Sequence, residues 1–161
     1  MPTPTYDLIA STVVGTAVSN LTFNSIPGTY RDLVLVANNL TSGVAGLSLI
    51  ANANYISYPY VAMSGNGTST FSSSGNADGF LGGEYAVSDP DEWALVIWQI
   101  MDYAQSKHKT CLARVNSATR GVDAIASRYP DTAAITSLTV ETLGSPTISA
   151  GSSFYLYGIV S

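Results

Sequence analysis

The chain of 161 residues is poor in the residues that most catalytic sites and most secreted scaffolds need. It has one cysteine, one histidine and only 11% charged residues, against about 25% charged in an average globular domain. A single cysteine excludes an intrachain disulfide framework. One cysteine and one histidine cannot supply the usual ligands of a zinc site. Six basic residues stand against eleven acidic ones, giving a net charge of −5. An acidic chain has no broad surface to replace phosphate counterions, so no nucleic-acid partner is expected. Long apolar runs are also missing. The longest, Trp93-Ala94-Leu95-Val96-Ile97-Trp98, is far short of the roughly 20 residues of a membrane-spanning helix, so no membrane partner is expected. The opening MPTPTYDLIAS has no Lys or Arg and no apolar stretch of signal-peptide length, which reads as an unprocessed chain made in a host cytoplasm. The sequons at Asn20, Asn39 and Asn66 are discounted on the same ground.

What fills the space is apolar and hydroxylated. Apolar residues reach 46%, and there are 21 Ser and 16 Thr. High apolar content with low net charge excludes a disordered chain. The length fits one domain, 1–161. Period-two alternation runs through it. Leu21 and Phe23 alternate with Thr22 and Asn24, Leu47 and Leu49 with Ser48, Leu112 with Cys111 and Ala113, and Leu138 and Val140 with Thr139 and Glu141. Such alternation places one side-chain set on a core face and the other outward. Segments 33–37 and 93–101 are apolar on both faces and read as covered strands. About ten strands are expected, near 6–14, 17–26, 32–40, 46–53, 80–87, 92–101, 109–117, 121–128, 134–143 and 152–160, with a weaker one at 58–63. No helical period stands out. The expectation is an all-β fold, an antiparallel β-sandwich or barrel.

Turn residues fall between the runs. Ile26-Pro27-Gly28-Thr29 suits a type II turn with Gly28 supplying positive φ. The stretch 64–83 is rich in Gly, Ser and Asn around Phe71 and reads as a long loop. Long loops in compact domains are often functional, and Phe71 and Phe80 would be its anchors for gripping a neighbour.

Catalytic constellations are scarce. No serine sits in G-x-S-x-G. His108 and Cys111 are three apart, so a strand points them to opposite faces, away from the reach a dyad needs. Asp89, Asp91 and Glu92 cluster in a Pro-containing turn that could offer oxygen ligands to Ca²⁺, but their spacing matches no EF-hand loop. No phosphate-binding loop is present. No enzyme, cofactor or metal is expected. Charge does have an order: Lys107, Lys109, Arg114, Arg120 and Arg128 follow Asp78, Glu84, Asp89, Asp91, Glu92 and Asp102. A two-signed surface of this kind orients subunit contacts, which makes the five basic residues candidate assembly contacts.

Three stretches carry a family resemblance. They are Tyr6-Asp7-Leu8-Ile9-Ala10-Ser11, then Leu21-Thr22-Phe23-Asn24-Ser25-Ile26-Pro27-Gly28-Thr29-Tyr30-Arg31-Asp32-Leu33, then the end, 132–140 with Gly151-Ser152-Ser153-Phe154-Tyr155-Leu156-Tyr157-Gly158-Ile159. Together these resemble small virion proteins and head- or tail-fibre modules of tailed bacteriophages. The resemblance implies a jelly-roll-like sandwich that forms homotrimers on a particle, and it carries no catalytic residue. It implies virion localisation, on the capsid or the tail. Two roles follow from it. One is a capsid decoration or cement protein that binds the major capsid protein or another virion protein. The other is a fibre module binding host glycans, with Tyr55, Tyr58, Tyr60, Trp93 and Trp98 as candidate stacking rings. The local physics of the motifs is structural. Tyr30 at a corner can pack its ring and reach backbone with its hydroxyl, and Asp32 can accept from turn amides.

Overall fold

A computed structural model describes residues 5–160; residues 1–4 and 161, the extremes of the expected domain, lie outside the described residues. The described chain is all β, with twelve strands: β1 (Tyr6–Val13), β2 (Asn20–Phe23), β3 (Asp32–Asn39), β4 (Leu47–Ala51), β5 (Tyr58–Gly65), β6 (Thr70–Ala77), β7 (Phe80–Gly82), β8 (Ala94–Met101), β9 (Lys109–Ser117), β10 (Gly121–Tyr129), β11 (Leu138–Thr142) and β12 (Ser153–Ile159). They form two antiparallel sheets packed face to face. The larger has the order β1-β12-β3-β8-β9-β10-β5-β6, the smaller β2-β11-β4-β7.

Setting aside the hairpins β5–β6 and β9–β10 leaves two four-stranded sheets, β1-β12-β3-β8 and β2-β11-β4-β7. That is the strand order of a jelly roll, in which the chain passes back and forth between two sheets. The two hairpins are insertions, and both extend the same sheet beyond β8.

The core lies between the sheets. Its largest member is Trp98, fully buried and paired across strands with Ala113. The volume of the indole explains an alternation that sequence leaves undirected. Cys111, Ala113 and Val115 point inward beside Trp98 and its neighbours, so Leu112 points outward, 45% exposed. A second aromatic cluster fills the end of the core under β5 and β10. Tyr58 stacks on Tyr129 at 5.1 Å and meets Phe80 edge-on at 5.0 Å. The Tyr58 hydroxyl accepts from the Ala51 N–H and donates to the Asn54 carbonyl. Asp123 on β10 turns inward, where its Oδ2 accepts from the N–H groups of Glu84, Tyr85 and Ala86 at 2.8–3.1 Å. This carboxylate holds the β7–β8 connection against the large sheet.

The expected loop at 64–83 is not a loop. Its middle is the edge strand β6, paired residue for residue with β5 from Tyr58↔Ala77 to Gly65↔Thr70, and its ends belong to β5 and β7. Serine, glycine and asparagine are weak strand formers, but β5 supplies a ready ladder. The turn between them is strongly specified: Asn66 Oδ1 accepts from the Thr68 and Ser69 N–H groups, and Gly67 takes φ +84°.

The corner before β3 also differs from expectation. Gly28 does not have positive φ; the left-handed residue there is Ser25, at φ 56°. The hydroxyl that reaches the Pro27 carbonyl is that of Tyr103, not Tyr30. The Tyr30 ring instead lies on Gly158 of β12, where a Cβ would stand 2.2 Å from Tyr30 Cγ. Asp32 does meet a turn amide: its Oδ1 accepts from the Asp102 N–H at 2.9 Å. The second and third of the motif stretches thus pack on each other.

Candidate assembly surface

One face of the large sheet packs on the small sheet, and the other is open. Cross-strand register arranges the open face into rows, because directly paired residues project to the same side. One row runs Leu8, Tyr157, Val34, Gln99, Leu112, Ala126, Val61, Ser74. The next runs Ser11, Tyr155, Val36, Ile97, Arg114, Ala124, Met63, Ser72. Both cross all eight strands. Gln99 and Arg114 interrupt an otherwise apolar middle, and both rows become serine on the β6 edge. Val61, Met63, Leu112 and Val122 are all near or above half exposed on this face.

The face is also hollow. Ala124 and Ala126 are low points on β10, flanked by taller side chains on β9 and β5. The hollows have volumes of about 850 Å³ around Met63, Phe71, Arg114 and Val122, and about 530 Å³ around Val61, Gln99, Leu112 and Ala126. A smaller one of about 250 Å³ lies between Tyr6, Val34, Tyr157 and Arg114. Arg114 borders all three.

The candidate contacts divide between this face and the interior. Arg114 on β9 and Arg128 on β10 are exposed on the open face and form no ion pair among the described residues. Phe71 borders the largest hollow and stacks on Tyr85 at 4.5 Å. Phe80 is fully buried in the aromatic cluster and cannot touch a neighbour. Lys109 is also fully buried, contrary to the expectation of a surface contact. Its ammonium donates to the carbonyls of Asp131 and Ala133 and sits 5.9 Å from the Tyr129 ring centroid. Burial pushes its pKa down, with Asp131 opposing. Strand parity is the reason: Lys109 shares the inward side with Cys111, and its chain is long enough to reach backbone oxygens beyond the core.

Two more basic residues are used within the chain. Lys107 pairs with Asp102 at 2.6 Å. Arg120 pairs with Asp89, whose carboxyl is held below its ordinary range by that guanidinium and by the Asp91 N–H. Glu92 accepts from the Thr119 N–H and the Ser117 hydroxyl, which lower its pKa in the same way. The acidic turn and the basic run therefore staple the start of β8 to the β9–β10 turn. Among the described residues no three His, Cys, Asp or Glu side chains are grouped to hold a metal ion. Cys111 is buried and its thiol is pushed up by burial, while His108 is exposed just before β9.

Of the five candidate stacking rings, Tyr58 and Trp98 are fully buried. Tyr55 and Trp93 are exposed, and Tyr60 is half-buried. The open face itself was the part that sequence reading missed. Its signal was present in the alternating partners Val61 and Met63 of β5 and Leu112 of β9, but parity alone does not say which set faces the core.

No protein-family model matches the chain, and no curated protein matches it. Fold and surface define it as a jelly-roll β-sandwich whose two inserted hairpins present a hollow, apolar, arginine-bearing face.

Proposed function

We propose that the protein is a structural subunit of a tailed-phage virion: a capsid decoration protein that assembles as a homotrimer and binds the head shell. The phage assignment rests on the resemblance of its terminal motifs. The assembly reading rests on one observation, the apolar open face of the extended sheet. A soluble monomer rarely exposes a contiguous apolar patch of this breadth, and larger patches mark contact sites. The inserted hairpins add four strands to this face, and breadth is what a stable contact of roughly 800 Å² per partner draws on. Arg114 within the face and Arg128 supply orientation, because a fixed cation in an apolar contact rejects misaligned partners. Binding to the shell then stabilises by mass action, since whatever binds only the assembled state raises the cost of taking it apart. This reading assigns no catalytic step to any residue.

The test is oligomeric state with charge inserted on the open face. Light scattering at micromolar concentration is expected to give a trimer. Leu112→Asp and Met63→Glu are expected to give folded monomers with the parent's far-UV circular dichroism, because both side chains already face water in the free subunit, and to melt below the parent by the stabilisation that assembly contributes. A monomeric parent protein, or variants that stay trimeric, would overturn the assembly reading. Particles lacking the protein are expected to lose heat resistance yet still adsorb to cells. Loss of adsorption with an equally robust shell would overturn the decoration role in favour of a fibre.

A further inference from the structure

Among the described residues the two sheets have four edges, and three of them are guarded. β2 has four residues and β7 three. β1 is longer, but it slips register between Leu8 and Ala10 and carries Asp7. Shortness, a bulge and charge are the devices by which edge strands avoid pairing with another chain. The fourth edge, β6, has none of them. It runs for eight residues, Thr70-Phe71-Ser72-Ser73-Ser74-Gly75-Asn76-Ala77, without Lys, Arg, Asp, Glu or Pro. Its register with β5 is unbroken from end to end, so the edge is regular.

The free side of β6 is clear and held in place. Among the described residues its backbone bonds to no strand other than β5. An edge strand of this kind presents a row of unpaired N–H and C=O groups on its outer side. Phe71 stacks on Tyr85 at 4.5 Å, and the Ser73 hydroxyl donates to Glu84 at 2.6 Å. These contacts fasten the strand from its inner face and leave the outer edge uncovered. Ser72, Ser74 and Asn76 are exposed on the open face, and all three are short.

We propose that β6 pairs antiparallel with β6 of a second copy about a two-fold axis, joining two eight-stranded sheets edge to edge. Charge selects the occupant. Each chain has a net charge of −5, so two copies repel over most of their surface, and an uncharged strand lets them meet without opposing like charges. The nearest carboxylates lie off the line of the edge: Glu84 is bonded to Ser73 on the inner side, and Asp78 follows the last residue of the strand. With the axis near the middle of the strand, the serines at 72–74 face one another, and cross-strand hydroxyls are favourable pairs. A two-fold contact uses the same patch on both copies and needs no second surface. One strand pair buries less than the ~1,200 Å² of a standard contact, so the association is weak, dissociated at micromolar concentration and populated toward ~1 mM. It does not rest on the open-face contact; where that contact makes trimers, this one joins trimer to trimer.

The experiment is sedimentation equilibrium of the full-length Leu112→Asp chain, with the open face disabled, from about 10 μM to about 1 mM. The mass is expected to double toward the upper end. Sodium chloride at about 0.5 M is expected to strengthen the doubling, because it screens the net charge of the two copies. Adding Ser74→Lys is expected to abolish the doubling and leave the far-UV circular dichroism unchanged, because Ser74 is exposed. Ser145→Lys makes the same charge change in an exposed turn and is expected to leave the doubling in place. The doubling is read from whatever mass Leu112→Asp gives when dilute, so failure of the assembly reading leaves this test intact.

Cross-linking reads the geometry. Cys111 is buried, so one introduced cysteine is the only exposed thiol. Disulfide yield is expected to peak at Ser72→Cys, Ser73→Cys or Ser74→Cys, where a two-fold axis brings like residues within about 4.4–6.8 Å between Cα atoms. It is expected to vanish at Thr70→Cys and Ala77→Cys, whose counterparts stand more than about 10 Å apart. The proposal is overturned if the mass does not double by about 1 mM, which leaves the edge to a strand of another protein. It is also overturned if the doubling survives Ser74→Lys, if salt weakens it, or if the strand ends cross-link as well as the middle.

Discussion

Trp98 and Gly82 fit together with no space between them: a Cβ on Gly82 would stand 2.0 Å from Trp98 Cζ2. The indole of the large sheet thus packs directly on the backbone of the small sheet's edge strand, and this contact sets the spacing of the sandwich there. Gly82→Ala is expected to lower stability by about 2–3 kcal/mol, as overpacking of a closed core does. Urea denaturation followed by tryptophan fluorescence measures it. Gly15→Ala, at a position with nothing within 4 Å of the added carbon, is the matched control and is expected to change stability little.

The Tyr30–Gly158 contact predicts a coupling. Gly158→Ala drives a methyl into the Tyr30 ring, and Tyr30→Ala removes the ring and leaves space over the strand. The double variant is expected to be less destabilised than the sum of the two, with a coupling of about 1–2 kcal/mol. A double-mutant cycle in chemical denaturation checks it. Strict additivity would mean that the corner and β12 are held by something other than this contact.

Alkaline pH is expected to unfold the protein through its buried phenols. Burial raises the pKa of Tyr58, Tyr103 and Tyr129, and of the Cys111 thiol. The neutral forms are preferred in the fold, so their contribution is whole below the unfolded values and is lost as pH rises through and beyond them. Lys109 has the opposite sign. Its native pKa is lowered, so the fold prefers it neutral and gains stability as pH climbs from that lowered value to the ordinary lysine range. Four groups against one give a net loss, beginning at about pH 9–10. Lys109→Met removes only the opposing contribution, so its stability is expected to fall more steeply with pH than that of the parent. Melting temperature against pH, compared as slopes, reads this directly.

Much of the architecture is legible in the sequence because period-two patterning and punctuating turns are local. Eleven of the strand positions can be read that way, and the sandwich follows from their spacing. The strand β6 cannot, since Thr70-Phe71-Ser72-Ser73-Ser74-Gly75-Asn76-Ala77 has no intrinsic strand preference and is ordered by its partner β5. Inward and outward also depend on the partner. Cys111 and Ala113 face the core because Trp98 across the sheet leaves room only for small side chains, and Leu112 is displaced to the open face. Lys109 follows the same parity inward, where charge alone would have placed it outside. Phe80 stands at the end of a Gly-, Ser- and Asn-rich stretch that reads as a loop, whereas β7 carries it into the aromatic cluster. The cleft between the end of the β5–β6 hairpin and the small sheet is not legible at all: Ser48, Tyr60, Asp78 and Glu141 meet only because two sheets meet.

β12 lies between β1 and β3, with Tyr6 opposite Ile159. β1 therefore has no partner in the sheet until β12 is in place. Until then the edge of β3 stays bare beside the apolar open face, the situation that invites pairing with other chains. Closure by such a distant strand is slow in folding terms. Loss of β12 bares two strand edges at once, so the two ends of the described sheet stand or fall together.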